Sequence, residues 1–242
     1  PAFDPYIRPE CVWTREQLCR AVGLDPGSPI LMFASLGQMR PNLDETGSFR
    51  VLMAAVDAGR IEGDPQVVLR LHPLSVDYYF EEFLRRPDVF VSRYVGYCPG
   101  MRWWPSFEEV AMAGNLFRHA DVCVSPGSTV TIETAIFGVP TIIPTFNPFT
   151  RDEHSAFFRS HWLGRHFRFI VEEGLLPLVD SEDELVDAVN RALREREWTA
   201  RGQEAIRRRV LGPLDGDSTA RLARAAVRVA FGQAKPGGRA EC

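Results

Sequence analysis

Ser125, Gly127, Ser128, Thr129 and Glu133 fall within the stretch DVCVSPGSTVTIETAIFGVPTIIP (Asp121–Pro144), between two short apolar runs. Pro126-Gly127 breaks a strand pattern, and a helix pattern opens at Ser128 or Thr129. A helix start leaves backbone N–H groups without intrahelical partners and carries partial positive charge, so it can receive an anion. Small residues let a phosphate approach the backbone, and hydroxyls add donors. Thr129 and Glu133 stand four apart, hence on one helix face. A carboxylate about one turn behind a phosphate can accept both hydroxyls of a vicinal diol, such as that of a ribose. A structural reading stands beside this one: Ser and Thr are ordinary N-caps, and Glu133 can be a solvated helix residue. Against it, an unpaired carboxylate among apolar neighbours is costly.

A second set of chemical groups lies in LRLHP (Leu69–Pro73), where Pro73 ends a strand pattern. Arg70 and His72 are two apart and share one strand face. His72 can donate a hydrogen bond to a phosphate or protonate a departing one; as a lone histidine it can also be structural. Gly37, in ASLGQMRPN (Ala34–Asn42), follows an apolar run and loosely matches a phosphate-approach loop. That loop is neither GxGxxG nor a Walker loop, because no GK[ST] follows. Arg151, Asp152, Glu153, His154 and His161 cluster in FNPFTRDEHSAFFRSHW (Phe146–Trp162) without HExxH or another ligand spacing, so no metal is expected. No G-x-S-x-G elbow is present, which argues against a serine hydrolase.

The segments around these residues alternate between strand and helix patterns. Strands are expected at Ile30–Ser35, Val67–Leu71, Val89–Tyr94, Asp121–Ser125 and Pro140–Pro144. Their continuous apolar runs are those of strands covered on both faces. Helices are expected at Thr14–Leu24, Phe49–Gly59, Val76–Arg86, Ser106–Ala120, Ser128–Gly138, Ser181–Glu197 and Asp217–Phe231. Thr14 with Gln17, and Ser106 with Glu109, have the spacing of capping boxes. The alternation predicts an α/β fold: a doubly wound, mostly parallel, Rossmann-like sheet with helices on both faces. Such sheets bind ligands at the carboxyl ends of their strands. The loops after Ser35, Leu71, Tyr94 and Ser125 are therefore expected to share one edge.

Composition sets the outer bounds. With 242 residues, 45% apolar and 25% charged, the chain can bury the core of one large soluble α/β domain. A net charge of −4 gives no field that would draw in nucleic acid. The arginines from Arg191 to Arg209, and Arg221, Arg224 and Arg228, read as solvated helix faces or as a peripheral contact with an anionic membrane. Five scattered cysteines form no CxxC pair, which fits a reducing compartment rather than a disulfide framework or zinc site. Residues 1–12 are expected as a linker or inter-domain segment, 13–232 as the Rossmann-like domain and 233–242 as a disordered tail. The chain begins at Pro1 without Met, as expected of a piece of a longer protein.

The order of the motifs, VVLRLHP and then ADVCVSPGSTVTIETAIFGVPTIIP, resembles the C-terminal, nucleotide-binding domain of GT-B glycosyltransferases. It is most similar to the bacterial branch of CDP-glycerol glycerophosphotransferases, capsule polysaccharide transferases and sialyltransferase-like enzymes. PLDGDSTARLA (Pro213–Ala223) looks like the closing segment of such chains. The resemblance runs from about Trp13 to Phe231. It implies that His72, Ser128 and Thr129 grip the donor phosphates and that Glu133 binds the ribose. It implies a nucleotide-activated donor, CDP-linked before others, an acceptor glycan or polyol, no cofactor, and a cytoplasmic site that can lie at the inner face of a membrane. GT-B enzymes place the active site between two domains, and this sequence supplies the second; the N-terminal domain is an implied partner. A nucleotide-sugar 2-epimerase, or a non-catalytic nucleotide-binding or interaction module, is the alternative.

Overall fold

The structure, a computed structural model, describes residues 3–36, 45–72, 80–93, 105–146 and 167–231. Six strands form one sheet: β1 (Ile30–Ala34), β2 (Gln66–Arg70), β3 (Val89–Ser92), β4 (Val122–Val124), β5 (Thr141–Pro144) and β6 (Leu178–Val179). Their order is β3-β2-β1-β4-β5-β6, and every neighbouring pair is parallel. This is the doubly wound order in which the chain reverses its direction of travel beside β1. The helices are α1 (Asp4–Ile7), α2 (Arg15–Val22), α3 (Thr46–Asp57), α4 (Glu81–Leu84), α5 (Phe107–His119), α6 (Val130–Phe137), α7 (Arg168–Glu172), α8 (Glu182–Arg194), α9 (Ala200–Val210) and α10 (Ser218–Ala230). Among the described residues no helix is long and apolar enough to cross a membrane.

Strand parity divides the core in two. Leu31, Phe33, Val67, Leu69, Val122 and Val124 join the α3 and α8 side. Ile30, Met32, Ala34, Val68 and Cys123 join the α2 and α5 side, where Val130 and Ile136 of α6 also pack. Burying a side chain of this size contributes about 1.5–3 kcal/mol, so both faces need continuous apolar strands. Arg70 follows Val68 by two and falls on the α5 and α6 side of the sheet.

The two capping boxes form: Thr14 accepts from Gln17 N–H, Ser106 accepts from Glu109 N–H, and each partner's side chain accepts in return. Three helices and one strand were not legible in the sequence. α1 and α7 are too short to show a period. β6 has two residues, fewer than an alternation needs. α9 (ARGQEAIRRRV) buries only Gly202, Gln203 and Ile206, too few apolar residues to mark a face. Of the helix expected at Val76–Arg86, only Glu81–Leu84 is helical within the described residues. The tail at 233–242 lies outside them.

The segment expected as a linker lies against the domain from residue 3 onward. α1 packs on α5, and Tyr6 is 5% exposed. The Asp4 carboxylate accepts from Thr219 N–H at 2.9 Å, Thr219 Oγ1 at 3.0 Å and Ser218 N–H at 3.3 Å. It therefore caps α10 from the far end of the chain, where the local N-cap, Asp217, makes no side-chain cap bond. Burial alone would raise the Asp4 pKa, but these donors hold it at about 2. A depressed carboxylate stabilises the fold above its unfolded pKa and stops doing so as pH falls through the folded value. Asp4→Ala is expected to lower unfolding free energy at pH 7 by about 1–2 kcal/mol, the scale of a lost cap. Denaturant melts should show that difference closing as pH falls from about 4 towards 2.

Candidate functional site

A crevice forms outside the carboxyl ends of strands where their order reverses. In this sheet Ser35, Leu71 and Ser125 follow β1, β2 and β4 at one edge. A cavity of about 280 Å³ opens there. Arg70, His72, Ser128, Thr129 and Glu133, all singled out in the sequence, line it together.

Each of these side chains is placed by its element. Arg70 ends β2, is 6% exposed, and donates through Nη1 to Ser92 Oγ at 3.2 Å. His72 is held through its backbone: its N–H donates to Ser35 Oγ at 2.8 Å, and Ser35 N–H donates to Arg70 O at 2.9 Å. Burial pushes the His72 imidazole below its usual pKa, and the Arg70 charge acts in the same sense. Its ring is therefore neutral at physiological pH. Gly127, with φ of 110°, turns the chain from β4 toward α6 in a conformation that side-chain-bearing residues rarely adopt. Ser128 then accepts from Val130 N–H at 3.2 Å. Thr129 occupies the N-cap position of α6, but its side chain makes no cap bond. Its hydroxyl, one turn before Glu133, instead favours the charged form of that carboxylate.

Glu133 is half-buried, and Tyr6 donates from its hydroxyl to Oε2 at 2.8 Å. Burial pushes the Glu133 carboxyl above its usual range. Tyr6, the Arg70 charge and the Thr129 hydroxyl oppose that shift without cancelling it. The cavity thus has a guanidinium, an imidazole and two hydroxyls near the α6 start, and a carboxylate one turn deeper. Such a wall suits a ligand with a phosphate at one end and hydroxyls beyond it.

Two residues named from the sequence, Ser125 and Gly127, stand elsewhere. Ser125 is fully buried, and its hydroxyl has no hydrogen-bond partner among the described residues. Neither Ser125 nor Gly127 is among the residues that line the cavity. Gly37 lies outside the described residues, as does segment 147–166 with its histidines and acids. Among the described residues no group of His, Cys, Asp or Glu could hold a metal ion. Two polar lining residues escaped the sequence reading. Tyr6 sits 127 positions from the carboxylate that it binds, and no local signal joins them. Ser35 was visible only as a strand end.

No protein-family model and no curated protein matches the chain. Solved structures do match its fold. A structure of the wall teichoic acid polymerase TagF aligns with TM-score 0.59 at 12% identity, over 97% of this chain and 52% of that one. A substituted TagF variant gives TM-score 0.62 at 12% identity, over 96% and 52%. An S. aureus MnaA–UDP structure gives 0.54 at 13% identity, over 98% and 55%. The chain spans about half the length of the structures it matches. At such identity the likeness is one of fold: the doubly wound, parallel α/β sheet that the alternation of strands and helices predicts.

The raised Glu133 pKa has a consequence for stability. The folded state keeps that proton to higher pH than the unfolded chain, so ionisation costs stability as pH rises above the ordinary glutamate value of 4.5. Glu133→Gln keeps an acceptor for Tyr6 and removes the charge. Its melting temperature is expected to exceed that of the wild type at pH 7–8, with the gap shrinking towards about pH 4, read by calorimetric or fluorescence melts.

Proposed function

We propose that this chain is the donor-nucleotide-binding half of an enzyme that transfers a sugar or polyol phosphate from a nucleotide-activated donor to a cell-surface polysaccharide or similar acceptor. One observation carries the reading. Arg70 and His72 after β2, and Ser128, Thr129 and Glu133 after β4, line a single cavity at the switch point of the sheet. The arrangement matches the needs of a nucleoside diphosphate: cationic and hydroxyl groups for phosphate, a carboxylate for a ribose diol.

In this reading Ser128 and Thr129 hold the diphosphate and Glu133 holds the ribose. Arg70 and His72 balance the negative charge that grows on the departing phosphate as the acceptor hydroxyl attacks. Interactions that strengthen as charge develops are those that raise the rate. The neutral His72 offers one N–H donor to an arriving phosphate. The anion then raises the pKa of the ring, so binding takes up a proton. A second domain would bring the acceptor and its base. Leu222, Val227, Val229 and Phe231 leave an apolar surface on and just past α10, which supports a covering partner there. The epimerase alternative shares the fold: a Listeria monocytogenes protein named for UDP-N-acetylglucosamine 2-epimerase activity aligns with TM-score 0.50 over 91% of this chain.

Titration calorimetry with CMP, CDP, UDP, GDP and ADP tests the reading. A nucleoside diphosphate is expected to bind, with heats that depend on the ionisation enthalpy of the buffer because a proton is taken up. Glu133→Ala should weaken binding by about tenfold or more, the scale of lost hydrogen bonds to a charged group. Affinity unchanged by Glu133→Ala would remove the ribose role. A wild type that binds none of the diphosphates would remove the whole reading. Formation of a 2-epimer from a UDP-sugar without acceptor would transfer it to the epimerase class.

A further inference from the structure

The geometry points to Tyr6 as a positioning residue for the nucleotide site: its hydroxyl holds the Glu133 carboxylate in the orientation that receives the ribose diol, so a side chain from the first helix sets ribonucleotide affinity. This rests on the donor-binding reading above and adds a residue that no motif marks.

The surrounding packing and backbone anchors build Tyr6 into its place. α5 has Gly114 where the Tyr6 ring passes; a Cβ at 114 would stand 2.6 Å from Tyr6 Cδ1 and 3.3 Å from its Cα. Arg118 of α5 donates to the Tyr6 carbonyl at 2.7 Å while its guanidinium lies over the Phe137 ring. Asn115 holds the following chain, donating to Cys11 O at 2.8 Å and accepting from Trp13 N–H at 2.9 Å. The ring packs among Phe3, Phe117 and Phe137, with centroids 5.7, 6.3 and 6.2 Å away. Asp4, two residues earlier, is anchored to the start of α10. α1 is thus fixed at both sides of Tyr6, and the hydroxyl arrives at Glu133 Oε2 at 2.8 Å.

The donor also has a chemical role. A charged carboxylate receives two hydroxyls more strongly than a neutral carboxyl, which has given part of its acceptor capacity to a proton. Among the described residues, the titratable and charged groups around Glu133 are Tyr6 of α1, Arg70 and His72 at the end of β2, and Cys123 of β4. Cys123 is buried and neutral, and its thiol is pushed far up by burial. Tyr6 and Arg70, with the Thr129 hydroxyl, favour the charged form of Glu133 against its burial. Removing the Tyr6 hydroxyl removes one of these supports and one constraint on the carboxylate torsion.

The test uses the full chain and four probes, CDP and UDP with their 2′,3′-dideoxy analogues, titrated calorimetrically into wild type and Tyr6→Phe between pH 5 and 8. Wild type is expected to prefer the ribonucleotide. Tyr6→Phe should lose about tenfold of ribonucleotide affinity, keep the dideoxy affinity, and shift the pH below which ribonucleotide binding fails to a higher value. In Glu133→Ala, adding Tyr6→Phe should cost nothing more. A Tyr6→Phe chain that keeps the wild-type ribo/dideoxy ratio, or weakens both nucleotides equally, overturns the positioning role while leaving the donor site standing. A wild type that binds nucleotides without preferring the ribonucleotide overturns both the positioning role and the ribose role of Glu133. A wild type that binds none overturns the donor site and this role together. Melting curves of Tyr6→Phe report its fold, because phenylalanine retains the ring that fills the Gly114 gap.

Discussion

A half-buried carboxylate in the first turn of α6 sets the terms for the structure around it. Glu133 is surrounded by sheet and helices on most sides, and its charge is disfavoured there. It is tolerated because Tyr6 donates to it from the other end of the chain and the Thr129 hydroxyl on its own helix favours its charge. Arg70 adds a compensating charge from the end of β2. These groups come together only if β2, α6 and α1 meet at one edge of the sheet. The site and the packing of the first helix are therefore one problem, solved by one set of contacts.

The sheet explains why that edge is the place for chemistry. Both faces of the central strands are buried, so polar side chains inside the strands have nowhere favourable to go. At the carboxyl ends the alternation still holds, and Arg70 and His72 continue the face that Val68 began. That face is covered by α5 and α6. The cationic groups at the end of β2 thus look toward the helix that follows β4. Ser125 obeys the same parity but stops one step short, fully buried behind the turn.

The two ends of the described chain also meet. Asp4 caps α10, α1 lies on α5, and Arg118 and Asn115 hold the backbone between Tyr6 and Trp13. The capping donors keep the Asp4 carboxylate charged well into acid. Beyond that anchor α10 runs outward with Leu222 60% and Val229 70% exposed. A helix fixed at its first turn and open along its apolar residues leaves the surface that the proposed second domain would cover.

Much of this was legible in the sequence, for physical reasons that differ by element. The apolar runs at Ile30, Val67, Val89, Asp121 and Pro140 are long enough, and Thr14, Ser106 and Ser181 cap strongly enough, for local chemistry to declare strands and helices. Alternation then required a parallel sheet, and a parallel sheet required a shared edge, so Arg70, His72, Ser128, Thr129 and Glu133 could be named before any coordinates. β6 and α9 were silent because two residues cannot alternate and because α9 buries too little to show a face. Tyr6 was silent for a different reason. Its partner is 127 residues away, and a hydrogen bond over that span depends on helix packing, not on neighbouring sequence. The sequence by itself determined β1 to β5, the helices with a clear period or cap, the parity of the strands and the edge where chemistry collects. Only the tertiary structure decided which of the named residues line the cavity, that Ser125 does not, and that a tyrosine from the first helix reaches the carboxylate. Those outcomes turn on distances of a few ångströms between elements, which no local pattern encodes.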